Sequence, residues 1–362
     1  MSGAVDTGSY GLLSALIADS QQTRAELNKL TTQVSDGLVA PTYDGLGAAA
    51  SVPLSLAPQV ADLTTWQNNI ASASAVQQAT QTAMTALQQI ASNFYSQVQN
   101  LNNLNAAEID SLAGSAQDAL KQVASLLDTQ VGGVYVFGGA DSANPPLPQP
   151  DNILASGFYT QIAAAVGNLG AAGGPATAAA TLAIAASNAA GTSPFSSYMS
   201  QPAATLLAQA PVVQTGPNTM QPVGLLASAN SAAVSTGAST TGSYMRDLMR
   251  ALATIGALSS AQANLPGFSS LVQDTATSLQ GAIGAMADEA GILGNRQTAL
   301  SQQQTTMSDT QTALKSQISN VEDVDVAQVM SQITLVQTQL QASYQLIGGL
   351  SGLTLAKLLP VA

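Results

Sequence analysis

Three acids near the C-terminal end, Glu322, Asp323 and Asp325, come nearest in type and spacing to a chemical site. Oxygen ligands at alternate positions are what a hard cation such as Ca²⁺ uses. The segment lacks, however, the spaced Asp/Asn, the central Gly and the closing Glu of a calcium-binding loop. The same residues read more simply as a helix start, with Asn320 as the cap and the acids held by the positive end of the helix dipole. Asp288–Glu289 could be an acid/base pair, but neighbouring carboxylates of this kind are usually a solvated face. The glycines from Gly170 to Gly174 are followed by no Lys, so they do not cradle phosphate. The chain has no His and no Cys, which removes the commonest general base, thiolate nucleophiles and zinc–thiolate sites together. The sequence therefore predicts no enzyme, no cofactor and no metal.

The surface chemistry points elsewhere. Only 8% of the 362 residues are charged, where roughly 25% is ordinary for a soluble protein. A surface of small polar and apolar groups packs against other protein with little ion desolvation. The net charge of −12 partly opposes association of free monomers. Eight Lys and Arg, with none between Lys121 and Arg246, cannot follow a phosphate backbone, so nucleic acid is excluded as a partner. The first ten residues have no basic stretch and no apolar core, so no cleaved secretory signal is expected. No run of some ~18 apolar residues predicts a membrane span or membrane insertion.

The elements that must position any site are helices at both ends. From Leu54 to Leu104 apolar positions recur at Leu63, Trp66, Ile70, Ala73, Val76, Thr80, Ala83, Leu87, Ile90, Phe94, Val98 and Leu101, which predicts a helix burying one stripe. Glu108 to Leu127 continues the pattern, and Gly132–Gly133 is expected to stop it. Val134 to Phe137, closed by Gly138–Gly139, reads as a hairpin arm. Four prolines between Asn144 and Pro150 mark a boundary. Residues 151 to about 240 are rich in Ala, Gly, Ser and Thr, with structure expected at Phe158 to Val166 and a strand at Leu206 to Val213. Helical spacing resumes at Tyr244, Met245, Leu248, Ala251 and Ile255, and again from Phe268.

The last segment is the most regular. Val326, Val329, Ile333, Val336, Leu340, Ser343 (with Tyr344), Ile347 and Leu350 step by three and four throughout, which is an a/d heptad. Between Val326 and Ala356 there is no charged side chain; Gln fills the outer positions. Neutral amides beside an apolar seam suit a helix enclosed by neighbours, because amides hydrogen-bond without burying an ion. Leu13, Leu16, Ser20, Leu27, Leu30 and Val34 form a looser seam at the N-terminal end, interrupted by Ser20 and Arg24. It is marginal alone and is expected to fold only against partners.

These residues resemble a known family. Asn320-Val-Glu-Asp-Val-Asp-Val-Ala, Gln339-Leu-Gln-Ala-Ser-Tyr-Gln-Leu-Ile and Leu350-Ser-Gly-Leu-Thr-Leu look like the C-terminal segment of the flagellin family, and Gly291-Ile-Leu-Gly-Asn-Arg296 like the segment upstream of it. Leu30-Thr-Thr-Gln-Val-Ser-Asp-Gly37 is similar to its N-terminal motif. At the turn that follows, Asp44 is kept but the usual Arg is absent. Val134-Tyr-Val-Phe-Gly-Gly139, Pro222 to Asn230 and Tyr244-Met-Arg-Asp-Leu resemble most the hook-associated protein 3 branch, the hook–filament junction protein, with the filament flagellin as the alternative. A secreted coiled-coil effector or adhesin is the reading from a different class.

The resemblance implies a mainly α fold. Residues 1–45 with 318–362 would form a terminal coiled coil, and 46–143 with 242–317 a helical bundle carrying a short β-hairpin. Residues 144–241 would form a small variable inserted domain, α+β or β, projecting outward. It implies a secreted structural protein of the bacterial flagellum, exported through the flagellar type III channel. It also implies partners in itself and other axial proteins (hook, neighbouring hook-associated protein, flagellin) and in an export chaperone. The expected assembly residues are Leu13, Leu16, Leu27, Leu30 and Val34 at one end. At the other they are Val326, Val329, Ile333, Val336, Leu340, Tyr344, Ile347 and Leu350.

Overall fold

The computed structural model describes residues 7–358; the side chains of residues 7–10, 12, 13 and 350–358, and with them Leu13 and Leu350, lie outside the described part. The architecture is mainly helical with two small antiparallel hairpins. It divides into two compact units, one built from the chain ends up to Thr64 and from Ser308 onward, the other from Thr65 to Met307.

Over residues 65–100, which lie in the second unit, helix α2 (Ser51–Asn100) buries the stripe that its spacing predicts, from Ile70 through Leu87 to Val98, with Leu101 buried just beyond its end. Gln77, Met84 and Ala91 are buried too, so the stripe is wider than one heptad seam because more than one neighbour covers it. Helix α3 (Ala106–Leu127) starts on a capping box: Asn105 Oδ1 accepts from Glu108 N at 3.0 Å, and Glu108 Oε2 accepts from Asn105 N at 2.8 Å. That reciprocal pair satisfies two of the donors a helix start leaves open.

The first hairpin differs from its expected form. Strand β1 (Gln130–Val131) pairs with β2 (Val134–Tyr135), and Gly132–Gly133 is the turn between them. Both glycines have positive φ, 59° and 81°, the requirement of a type I′ turn that matches strand twist. So Val134–Tyr135 is a hairpin arm, but it is closed on its N-terminal side, and α3 has already ended at Leu127. Val136 and Phe137 leave the strand for the core, where their carbonyls accept from Leu225 N and Ala227 N, both at 3.0 Å.

The proline segment is pinned from α3. Asp128, at the C-cap of that helix, accepts from Leu147 N at 3.0 Å. Burial pushes its carboxyl from 3.8 up to about 6, against the lowering effect of that hydrogen bond. A raised folded-state pKa means that the charged form costs stability, fully above about pH 6, and that the cost is relieved as pH falls from there toward 3.8. Asp128→Asn keeps an acceptor and removes the charge. It should stabilise the protein at pH 7.5 by about 1 kcal/mol, discounted for a half-exposed group. Urea melts at pH 7.5 and 4.5 test this; a gain that is the same at both would refute the electrostatic cause.

The Ala- and Gly-rich middle is largely helical. It contains α4 (Gly157–Gly167), the short α5 (Leu169–Ala172), α6 (Gly174–Ala186) and α7 (Ala203–Ala208), then a second hairpin of β3 (Val212–Gly216) and β4 (Thr219–Pro222). Phe158 to Val166 is thus ordered as expected. The strand expected from Leu206 starts only at Val212; Leu206 lies inside α7, where Ala and Leu favour a helical turn after Pro202. Small residues permit close approach here. A Cβ on Gly174 would run into the carbonyl of Gly267, so α6 can meet that turn only as glycine.

Helix α8 (Tyr244–Gly256) is buried on every side, including Arg246, Asp247 and Arg250. Arg250 pairs with Asp274 at 3.1 Å and donates to the Ser239 carbonyl at 3.1 Å and the Ala178 carbonyl at 3.3 Å. Asp247 accepts from Thr240 Oγ1 at 2.5 Å and Thr241 N at 2.7 Å. Burial raises its pKa, against those bonds and Arg250. Helix α9 (Phe268–Glu322) carries Glu289, which is not on a solvated face: it is 0% exposed and its Oε2 accepts from Ala232 N and Ala233 N at 3.0 and 2.9 Å. Its role is to tie the irregular segment before α8 onto α9.

Candidate assembly surface

In the first unit, helices α1 (Thr7–Asp36) and α10 (Val326–Leu358) pack along each other. A backbone joint fixes their meeting. Gly37, with φ 71°, ends α1 and lets the chain turn. Leu38 then bridges Asp323 in antiparallel fashion; Val39 N donates to the Glu322 carbonyl at 2.7 Å and Val324 N to the Gly37 carbonyl at 3.0 Å. Gln33 Nε2 reinforces the turn by donating to the Val39 carbonyl at 2.6 Å.

The acids at the break are structural. Asp325 caps α10, its Oδ1 accepting from Ala327 N at 3.0 Å and Gln328 N at 3.1 Å. Asp323 accepts from Ser319 Oγ. Asn320 is not the cap; it sits in the last turn of α9. The break falls at Asp325 and not at the Asn320 that the cap pattern predicts, because the helical pattern of α9 runs through Asn320 without a breaker. Among the described residues, no three His, Cys, Asp or Glu side chains are grouped to hold a metal ion.

From the joint the two helices run antiparallel, since Arg24, upstream of Leu38, meets Tyr344, downstream of Asp323, with the guanidinium 5.3 Å from the ring centre. On α10, Val329 is buried and Ile333, Val336, Leu340, Ser343 and Ile347 are half-buried; Val326 and Tyr344 are exposed. On α1, Leu30 and Ser20 are buried, while Leu16, Thr23, Leu27 and Val34 are half-buried. Thr23 is a seam position that the apolar pattern does not reveal. It continues the three–four spacing between Ser20 and Leu27, but hydroxyl residues do not register in an apolar pattern. Both hydroxyls are satisfied within the helix, Ser20 Oγ by the Ile17 carbonyl at 2.9 Å and Thr23 Oγ1 by the Asp19 carbonyl at 2.8 Å. Ser20 therefore does not interrupt the seam; it sits in it at no hydrogen-bonding cost.

One partner covers one stripe of a helix, and α10 carries more apolar surface than that. Leu335 is 60% exposed, Leu346 58% and Met330 50%. At about 100° per residue, Leu335 and Leu346 fall on one flank of the seam, and Val326, Met330 and Tyr344 on the other. Covering the exposed halves of Met330, Leu335 and Leu346 would contribute about 1 kcal/mol each. No ion on α10 up to Ala356 would have to be desolvated in doing so. Exposed apolar flanks of this kind are common at contact surfaces.

The model of the bacterial flagellin N-terminal helical region matches residues 10–142. The model of the bacterial flagellin C-terminal helical region matches residues 276–359. Together the two span more than half of the chain, and they cover α10 and, from residue 10 onward, α1. Comparison with curated proteins returns no match.

Proposed function

Because the chain belongs to the flagellin family and is a structural component of the bacterial flagellum, we propose that it works at the junction of hook and filament, stacking through its terminal helices. The observation that carries the stacking is α10: an ion-free helix, paired with α1 along one stripe and apolar on both flanks. Its seam residues, Leu16, Leu27, Leu30 and Val34 with Val329, Ile333, Val336, Leu340 and Ile347, hold the pair together. Leu335, Leu346 and Met330 meet the helices of neighbouring subunits. Those neighbours are copies of this chain, hook protein, another hook-associated protein and flagellin. Export follows the type III route, with a chaperone covering the exposed apolar flank before assembly.

The junction reading over the filament reading is supported by Val134-Tyr-Val-Phe-Gly-Gly139 and by Pro222 to Asn230, whose sequences resemble the junction branch. Residues 144–241 form the outward part in this proposal. Seeded polymerisation of the purified protein separates the readings. Addition limited to hook ends is the expected result; growth into long filaments identifies the filament subunit instead. Proteolysis of the free monomer should cut α1 first, since α1 alone is a marginal helix. Fully protected ends in a stable monomer would instead favour a secreted coiled-coil protein that does not polymerise.

A further inference from the structure

A cavity of about 360 Å³ in the second unit has Arg246 in its wall. The residue is 6% exposed. Its Nε donates to the Ser228 carbonyl at 2.9 Å, and Nη1 to the Ala185 and Ser187 carbonyls at the end of α6, at 2.9 and 3.2 Å. Its Nη2 donates to Asn188 Oδ1 at 2.6 Å, and Phe195 covers one guanidinium face at 5.0 Å. Each Nη has two N–H groups, so Nη2 keeps a donor in hand. Every acceptor is formally neutral, and neither ion pair among the described residues includes Arg246. Burial lowers its pKa to about 10, with Asp247 opposing, so it is a cation at neutral pH.

The lining is the reverse of the chain as a whole. The sequence has 20 acids against 8 bases, yet the wall contains Arg246 and no Asp or Glu. The cavity is lined further by amides and hydroxyls, among them Gln201, Ser235 and Thr241, and by apolar groups at Leu207, Val234, Ala203 and Ala229. The α6 carbonyls offset about half of the cation's charge. The Asp247 carboxylate, itself shared with Arg250, adds negative charge nearby, so the site matches a monoanion better than a phosphate dianion. The volume holds about a dozen water-sized groups, the size of a hexuronate.

We propose that this cavity binds a small hydroxylated carboxylate of the uronic acid class, with the carboxylate at Arg246 Nη2 and the sugar hydroxyls at the amide and hydroxyl wall. A charged acceptor strengthens a guanidinium hydrogen bond roughly twofold over a neutral one, and the alanines accept the apolar edge of a pyranose ring. The site is independent of which axial position the protein occupies.

The test uses the full-length protein, titrated with sodium D-glucuronate, D-glucose and inorganic phosphate by calorimetry and by the Arg Nε resonances. Saturable glucuronate binding is expected, with glucose weaker by roughly tenfold or more and phosphate unable to displace it at equal concentration. Arg246→Gln should abolish the preference for glucuronate over glucose. Because that variant also loosens the end of α6, Ala203→Trp at the exposed rim is the second probe: it fills the mouth without touching the guanidinium and should block binding while leaving the circular dichroism unchanged. Equal glucose and glucuronate affinity, displacement by phosphate, or unaltered binding in the Ala203→Trp variant would each overturn the proposal.

Discussion

Cells carrying Leu30→Asp or Ile333→Asp should export the protein and fail to swim. Leu30 is 3% exposed and is the deepest apolar residue of the α1 seam among the described residues; Ile333 is half-buried in α10. A carboxylate at either place has no cation among the seam residues to pair with: Lys29, beside Leu30, is exposed off the seam, and Arg24 is engaged with Tyr344. Burying it unpaired costs several kcal/mol. That cost is comparable to everything two marginal helices gain by pairing. The change leaves the second unit alone, so the secreted variant should keep the thermal unfolding transition of that unit. The measurements are swimming halos in soft agar and the amount of protein in the culture supernatant. Normal halos would sink the stacking role of the seam. Thr23→Leu supplies the converse, adding an apolar side chain to a half-buried seam position, and should delay proteolysis of α1.

A second large effect is expected at Arg250, far from the seam in sequence and in a different unit. Its side chain is 2% exposed, pairs with Asp274 at 3.1 Å and holds the carbonyls of Ser239 and Ala178. Arg250→Ala removes one member of a buried pair and leaves the acids behind, a change that costs about 3–5 kcal/mol. Against a typical stability of about 5–15 kcal/mol, the second unit should lose cooperative folding or melt many degrees lower. The loss should also depend on pH. Arg250 is one of the groups lowering the pKa of Asp247, which burial already raises. Without Arg250 that pKa rises further, so the charged form costs more above it and acidification relieves the cost. The deficit measured by calorimetry should be smaller at pH 5 than at pH 7.5. A deficit under ~1 kcal/mol at pH 7.5 would show that the pair is exposed in solution.

What could be read from the sequence follows a physical rule. Long helices that bury a stripe announce it in their spacing, because the period of the helix and the period of the apolar residues must agree. The α2 stripe from Ile70 to Leu101 and the α10 seam from Val329 to Ile347 were therefore legible, and so was the absence of ions along α10. Capping and turns were legible only in type. Asn320 and Asp325 are both good caps, and which one ends the gap depends on where Leu38 pairs with Asp323, a contact across almost the whole chain. Likewise Gly132–Gly133 can stop a helix or turn a hairpin; the docking of Val136 and Phe137 into the core selected the hairpin.

The burial of charge was decided by tertiary structure alone. Arg246, Arg250 and Glu289 occupy positions that a local pattern assigns to solvent, and their partners include Ala178, Ala185, Ser228, Ala232 and Ser239, which lie 11 to 72 residues away in an Ala- and Ser-rich stretch without pattern. A carbonyl carries no side-chain signature, so a sequence cannot show that it waits for a guanidinium. The sequence determined that His and Cys are absent and that the last helix carries an apolar seam without a charged side chain from Val326 to Ala356. Only the folded chain determined that α10, once paired with α1, still has two apolar flanks open, because a second helix covers one stripe and no more.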